Sequence, residues 1–426
     1  DVIGFIAKIE NMTQKEAAEF LIDRYQMQVP HHLVTSTTPK KDRDARERYF
    51  ATHKALTEWM HKQLLNNKQA LGYVRNRDLS EQTINLFQIG YLPGGTAAIN
   101  HLVKEMANNG FLLKELIAYG LISEGKATLF SPFEERIIFP IKNAHGKHCG
   151  FGGRIFRPGD ERPKYYNSKE ADEFEKGKVL FGFDSAKKAL QETQFGFLVE
   201  GYLDCITMAQ HGYPNTVATL GTACTLDHLK QLSRCIHTLY VLYDGDAAGQ
   251  KAMLRLTELC WEVNIDLRVI TLPANHDPAS FLDQEGDLKP YIENAIDIIT
   301  FFINTTGADF QNKPLAQKIT SAEKITQIIA RISDAFKRDL LLHQTAKITQ
   351  LPFDSLKELM LKNAGKAKKS DFQTLAKNID LEQKNAVPQG NAEISILEEK
   401  LFSAILNIQG TEQKMHIPAY LYQYVS

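Results

Sequence analysis

Between Phe195 and Pro273 short apolar runs alternate with amphipathic stretches, in the order GFLVEG, LDCITMAQHG, NTVATLG, TLDHLKQLSRC, TLYVLYDGD, AAGQKAMLRLTELCWEV and DLRVITLP. Unbroken apolar runs suit strands covered on both faces, and the stretches between them repeat at helical spacing. The segment therefore predicts a small parallel sheet flanked by helices. Upstream, from Leu71 to about Leu190, short helices such as NHLVKEMANNG, ending at Gly110, mix with the strands RIIFPIKN and HCGFGGRIF, joined by an Asn-Ala-His-Gly turn at Asn143. That region reads as α+β. Residues 1 to about 30 start with Phe5, Ile6 and Ile9 at one-turn spacing and continue as TQKEAAEFLIDRY, where Thr13 and Glu16 fit a capping box. VTSTTPKKDRDARER, with Pro39, reads as a linker feeding a helix that carries Ala55, Leu56, Trp59, Met60 and Leu64. After about residue 290, YIENAIDIITFFINTTG and the run from Leu315 to Ala346 predict helices. A polar, weakly periodic stretch follows, and ISILEEKLFSAIL begins one more amphipathic helix.

At 426 residues the chain exceeds one compact core, so two to four domains are expected. Apolar residues at 43% and charged residues at 24% are ordinary for a globular protein, and no run approaches the roughly 20 apolar residues that span a bilayer. The opening DVIGFIAKIENMTQ has neither a basic n-region nor an apolar h-region and no starting Met, which predicts a piece of a longer cytoplasmic protein with no membrane partner. Cys149, Cys205, Cys224, Cys235 and Cys260 form no C-x-x-C pair and read as buried free thiols. A formal net charge of −1 means that any nucleic-acid site must be local.

Glu200 closes GFLVEG, and Asp244 and Asp246 close TLYVLYDGD. Ligands of parallel sheets sit at the carboxyl ends of strands. Carboxylates clustered on rigid strand ends suit Mg²⁺, which takes a few carboxylates together with waters and substrate phosphates. Each acid alone could equally cap a helix or close a turn. Jointly, an acid at one strand end and D-x-D at a later one is the order of a Toprim domain. A receiver or haloacid-dehalogenase fold would want a nucleophilic Asp on the first strand. Asp277, in NHDPASFL after the fourth strand, is either a further oxygen ligand or a turn residue beside Pro278.

Arg154, Arg157, Arg162 and Lys164 cluster in GFGGRIFRPGDERPKYYNS with Phe151, Phe156, Tyr165 and Tyr166 among them. Cations for phosphates and rings for stacking are what a groove for single-stranded nucleic acid or nucleotide needs. The same composition also fits a strand pair with aromatics inward and charges in water.

In FPIKNAHGKHCGFGGRIF, KYYNSKEADEFEKGKVLFGF, EGYLD, VATLGTACT and DGDAAGQKA, which follow one another in the family's order, the chain resembles the bacterial DnaG-type primases over roughly residues 1 to 365. The resemblance implies an α/β and α+β chain. Its parts would be the end of a zinc-binding domain (1–35), an N-terminal α+β subdomain of the RNA polymerase domain (43–192), a Toprim domain (193–288), a helical subdomain (289–366), a linker (367–393) and the start of a helicase-binding domain (394–426). It implies a DNA primase, a DNA-directed RNA polymerase making RNA primers by metal-dependent nucleotidyl transfer. Glu200, Asp244 and Asp246 would be catalytic and would hold Mg²⁺, or Mn²⁺ in its place, together with Asp277. Arg77, Arg136, Arg154, Lys164, Asn167 and Lys176 would touch template or nucleotide phosphates. Implied partners are single-stranded DNA and NTPs, with a replicative helicase and single-strand binding protein for the full-length protein.

Two departures stand out. DPAS puts Ala279 where the family carries a second Asp, so either an outer ligand is lost or Asp283 replaces it. The zinc module is reduced to its closing helices, and no Cys/His cluster has zinc spacing, so this chain should bind no zinc although the full-length protein would. The alternatives are an inactive Toprim-fold replication adaptor, motivated by Ala279, or another Toprim enzyme such as a topoisomerase or nuclease.

Overall fold

The computed structural model describes the helix Val2–Ile9 with a few positions up to residue 21, and residues 40–363 apart from 127, 244–246, 260–262, 264, 274–275, 286 and 333. The predicted Thr13–Glu16 box and the helix expected after residue 394 lie outside the described residues. Val2–Ile9 belongs to one compact unit, and Thr38–Lys369 form another.

The second unit opens with the 27-residue helix Lys40–Asn66. It takes in the charged run expected to be linker, because Lys, Arg, Glu and Ala favour helix and no glycine or proline interrupts them after Pro39. Asn67 stops it and caps the next helix, Lys68–Arg75, its side chain accepting from the Gln69 and Ala70 amides at 3.1 and 2.9 Å. An antiparallel sheet follows. It contains β1 (Gly90–Leu92), β4 (Arg136–Lys142), β5 (His148–Ile155) and β6 (Tyr165–Asn167) in the order β1-β4-β5-β6, while β2 (Ser123–Glu124) and β3 (Leu129–Phe130) pair apart from it. The expected turn joins β4 to β5: the Asn143 side chain accepts from the His145 and Lys147 amides, each at 3.0 Å, and Gly146 takes a φ of +75°.

The parallel sheet consists of β7 (Phe195–Val199), β8 (Thr216–Ala218), β9 (Thr238–Val241) and β10 (Asp266–Val269), with helices Tyr202–Gln210, Leu226–Ser233 and Ala247–Leu259 as crossovers. These are the four strands read from the sequence. A fifth, β11 (Ile296–Asp297), pairs antiparallel to β10 inside a stretch expected to be helical. Asp297 accounts for the difference. Its carboxylate accepts from the Ile299 and Thr300 amides at 2.9 and 3.2 Å, so the helix starts at Ile298 and the two preceding residues extend the sheet.

The interior runs through both sheets. One apolar cluster joins Tyr49, Phe139, Phe174 and Phe181 to Phe197, Tyr202, Ile206 and Phe281. Another joins Leu190, Leu198 and Leu239 to Ile303, Ile325 and Leu342 of the later helices. Cys149, Cys205, Cys224 and Cys235 are buried thiols outside any disulfide, Cys260 lies outside the described residues, and burial pushes the Cys149 and Cys224 thiols up to about 12. Among the described residues no helix is long and apolar enough to cross a membrane.

Candidate functional site

β7 and β9 are adjacent and parallel, with Leu198 opposite Val241, and the Leu242 amide donates to the Leu198 carbonyl at 2.9 Å. The chain thus leaves both strands side by side. Glu200 follows β7 at once, and after β9 come Leu242 and buried Tyr243. Asp244 and Asp246 lie outside the described residues, and among the described residues no group of three or more His, Cys, Asp or Glu side chains is gathered for a metal. Asp277 follows β10 and caps helix Pro278–Glu285: its Oδ1 accepts from the Ser280 amide at 2.7 Å, and the Ser280 hydroxyl accepts from the Asp277 amide at 3.1 Å. Asp283 sits 3.4 Å from the His211 ring, and burial pushes its carboxyl above the ordinary range.

Asp204 is an acid that the sequence reading passed over. It lies in the first turn of Tyr202–Gln210, so close to Gly201 that a Cβ there would be 2.6 Å from its Oδ2, and its charge reaches the phenol of Tyr165. The signal was available in EGYLD, where a second acid follows Glu200 four positions later.

The antiparallel sheet brings three of the predicted cations together on two tyrosine rings. Arg154 donates to the Tyr165 hydroxyl at 2.6 Å and lies over the rings of Tyr165 and Tyr73, 5.3 and 5.9 Å from their centroids. Arg77 lies over Tyr73 at 5.8 Å, and the Lys164 ammonium over Tyr165 at 5.8 Å. Burial raises the Tyr165 phenol pKa, and Arg154 and Arg77 oppose the shift.

Arg136 does not belong to this group, which corrects the expectation from sequence. It is 2% exposed, and its Nη1 donates to the Pro163 carbonyl at 2.9 Å, with the Lys164 and Gly153 carbonyls at 3.4 and 3.5 Å. Burial pulls its pKa below the ordinary guanidinium value. Its side chain braces the β5–β6 hairpin from within, its guanidinium turned to main-chain carbonyls. Asn167 is also engaged by the fold. Its Oδ1 accepts from the Tyr202 hydroxyl at 2.7 Å, and its Nδ2 donates to the Leu220 carbonyl at 2.7 Å. Lys176, half-buried, sits in the segment between β6 and helix Phe183–Thr193, its amide donating to the Glu170 carboxylate at 3.1 Å.

The two sheets meet at Tyr202, two residues beyond Glu200. Its ring stacks on Phe139 at 5.2 Å and 9° and lies so flat on β5 that a Cβ at Gly152 would come within 2.5 Å of it. Within the apolar cluster shared by the two sheets, the Tyr202 ring and the Asn167 amide thus link the acid-bearing strand end directly to the cation-bearing hairpin.

Residues 59–187 match the family model of the DNA primase catalytic core, N-terminal domain, and residues 197–282 match a Toprim-like model. The chain is 30% identical over 389 residues to a DNA primase of Clostridium acetobutylicum, covering 91% of this chain and 62% of that protein. It is 30% identical over 401 residues to a DNA primase of Aquifex aeolicus, covering 91% and 76%. It thus spans less than two thirds of the Clostridium protein's length. A solved DnaG primase catalytic domain bound to single-stranded DNA superposes with a TM-score of 0.62 at 28% identity, covering 71% of this chain and 98% of that one.

Proposed function

The chain belongs to the bacterial DNA primase family, and on that premise we propose that it is the part of its protein that synthesises short RNA primers on single-stranded DNA. The observation that carries the reading is the junction at Tyr202, which seats the Toprim strand ends against a hairpin bearing Arg154, Lys164 and Tyr165. A relative of known structure binds single-stranded DNA with the same catalytic domain.

Glu200, Asp244 and Asp246, with Asp277, are the residues that would hold Mg²⁺, or Mn²⁺ in its place. The donors are all oxygen, and the two strands that carry the first three are neighbours, which suits a hard cation. Bound there, the ion supplies positive charge to the reacting phosphate and its pyrophosphate leaving group. The side chains do the rest. Arg77, Arg154, Lys164 and Lys176 take the phosphates of template and incoming NTP, and the rings of Tyr73 and Tyr165 offer stacking faces. Glu200 aids removal of the proton from the attacking 3′-hydroxyl. Asn167 and Tyr202 fix the distance between the two groups. Because the template is held by backbone charge and stacking, its binding is weak and falls steeply with salt. A replicative helicase and single-strand binding protein are partners of the whole protein.

The test is synthesis itself. The chain is incubated with single-stranded DNA, labelled NTPs and Mg²⁺ or Mn²⁺, with and without an annealed RNA primer, beside Asp244→Ala. RNA products that depend on metal and vanish in the variant are expected. Products that persist in Asp244→Ala, or DNA cleavage in place of RNA synthesis, would count against the reading.

A further inference from the structure

We infer that His228 is a positioning residue for Lys176, acting through the main chain of the segment that carries it. The inference rests on the phosphate-contacting role proposed above for Lys176. Residues 168–182 link β6 to helix Phe183–Thr193 and contain no strand or helix, only two isolated bridges, Ala171 with Phe174 and, five residues beyond Lys176, Phe181 with Ala218 of β8. A side chain on such a segment is placed only as well as its peptide is pinned.

The Lys176 peptide is pinned on both sides. Its amide donates to the two oxygens of Glu170 at 3.1 and 3.3 Å, and its carbonyl accepts from the His228 Nε2 at 2.9 Å. The next carbonyl, that of Gly177, accepts from the Thr225 hydroxyl at 2.6 Å. Both clamping side chains come from the start of helix Leu226–Ser233, in the crossover from β8 to β9. His228 is completely buried, and its Nδ1 accepts the Thr225 amide at 3.3 Å, while its own amide donates to the Thr225 hydroxyl at 3.2 Å. A ring nitrogen that faces an N–H must present its lone pair. The ring proton therefore resides on Nε2, aimed at the Lys176 carbonyl.

The imidazole thus serves two ends at once. On one edge it completes the capping box that Glu or Gln usually closes, and on the other it donates to a loop of the antiparallel half of the molecule. Of the ordinary box residues, only glutamine has both an acceptor and a donor at its tip. That sets a chemical criterion for the role: His228→Gln should substitute, and His228→Leu should not.

The experiment is extension of an annealed RNA primer on single-stranded DNA, with thermal denaturation of each variant alongside. His228→Leu is expected to lower kcat/KM for NTP about tenfold, with His228→Gln restoring it to within about twofold of the parent. In a Lys176→Ala background, His228→Leu should add less than about a twofold further loss. An equal loss in both backgrounds would overturn the inference, as would a folded His228→Gln variant no better than His228→Leu. Should His228→Leu fail to fold, His228→Asn, too short to reach the loop, takes its place in the cycle. Full activity in Lys176→Ala would instead defeat the phosphate role of Lys176, a failure separate from that of the His228 clamp.

Discussion

Replacing Gly152 by Ala tests the junction between the two sheets. The added methyl would lie 2.5 Å from two carbons of the Tyr202 ring and 2.6 Å from its oxygen. The ring has no room to retreat, because Phe139 stacks on it at 5.2 Å and Phe181 abuts it edge-on at 4.9 Å. Overpacking of this kind costs about 1–3 kcal/mol, and a shifted ring also loses the 2.7 Å bond to Asn167, about 1 kcal/mol more. A loss of about 3 kcal/mol corresponds, in a cooperative unit of more than 300 residues, to a fall of roughly 4 °C in Tm. The effect on RNA synthesis should exceed the effect on stability, because the displaced ring is the one that sets the distance between acids and cations. Differential scanning calorimetry and primer extension are run on Gly152→Ala, Tyr202→Leu and the double variant. In the Tyr202→Leu background, Gly152→Ala should be nearly neutral. A Tm for Gly152→Ala within 1 °C of the parent, or the same penalty in both backgrounds, would refute the close-contact argument.

Other consequences can be checked separately. Arg136→Ala should lower stability by about 2–4 kcal/mol in urea unfolding, since it removes a buried brace from the Pro163 carbonyl, whereas Arg77→Ala should leave it unchanged. Arg77→Ala should instead weaken single-stranded DNA binding and reduce the slope of log K against log salt by about 0.7, as measured by fluorescence anisotropy. Asp277→Asn keeps the helix cap, so its Tm should hold while the Mg²⁺ concentration for half-maximal extension rises; an unchanged Mg²⁺ requirement would leave Asp277 a cap alone. Burial pulls His53 and His148 down to about 4. Between that value and about 6.5 the unfolded chain binds protons that the folded chain refuses, so stability falls with pH by about 1.4 kcal/mol per unit for each ring. Thermal melts from pH 7 to 4.5 should show this slope, and a flat profile in that window would contradict it.

The sheets were legible in the sequence because each strand announces itself locally, as an apolar run in GFLVEG and TLYVLYDGD or as two runs about a turn in RIIFPIKN and HCGFGGRIF. Arg154 and Lys164 were grouped by their shared motif, whereas Arg77, 77 positions before Arg154, was tied to them only by the family resemblance; the rings of Tyr73 and Tyr165 give the three a physical grouping. Arg136 could not be separated from them by sequence. An arginine in a strand looks the same whether its guanidinium faces solvent or the carbonyls of a neighbouring hairpin, and only the pairing of β4 with β5 decides it. The roles of Asn167 and His228 were hidden for the same reason, since their partners lie 35 and 52 positions away. β11 was missed because its two residues carry no period of their own and exist only because Asp297 starts a helix.

The apolar cluster that spans both sheets also bears on how the chain comes off the ribosome. Tyr49, Phe139 and Phe181 find their permanent neighbours only when Phe197, Ile206 and Phe281 have been made. At ordinary synthesis rates the earliest of these side chains waits about 10–50 s for the last. Through that interval the nascent antiparallel sheet carries an uncovered oily face, so the segment up to about residue 190 is the client that chaperones must shelter, and a nonsense mutation there should yield an aggregating fragment and not a stable domain.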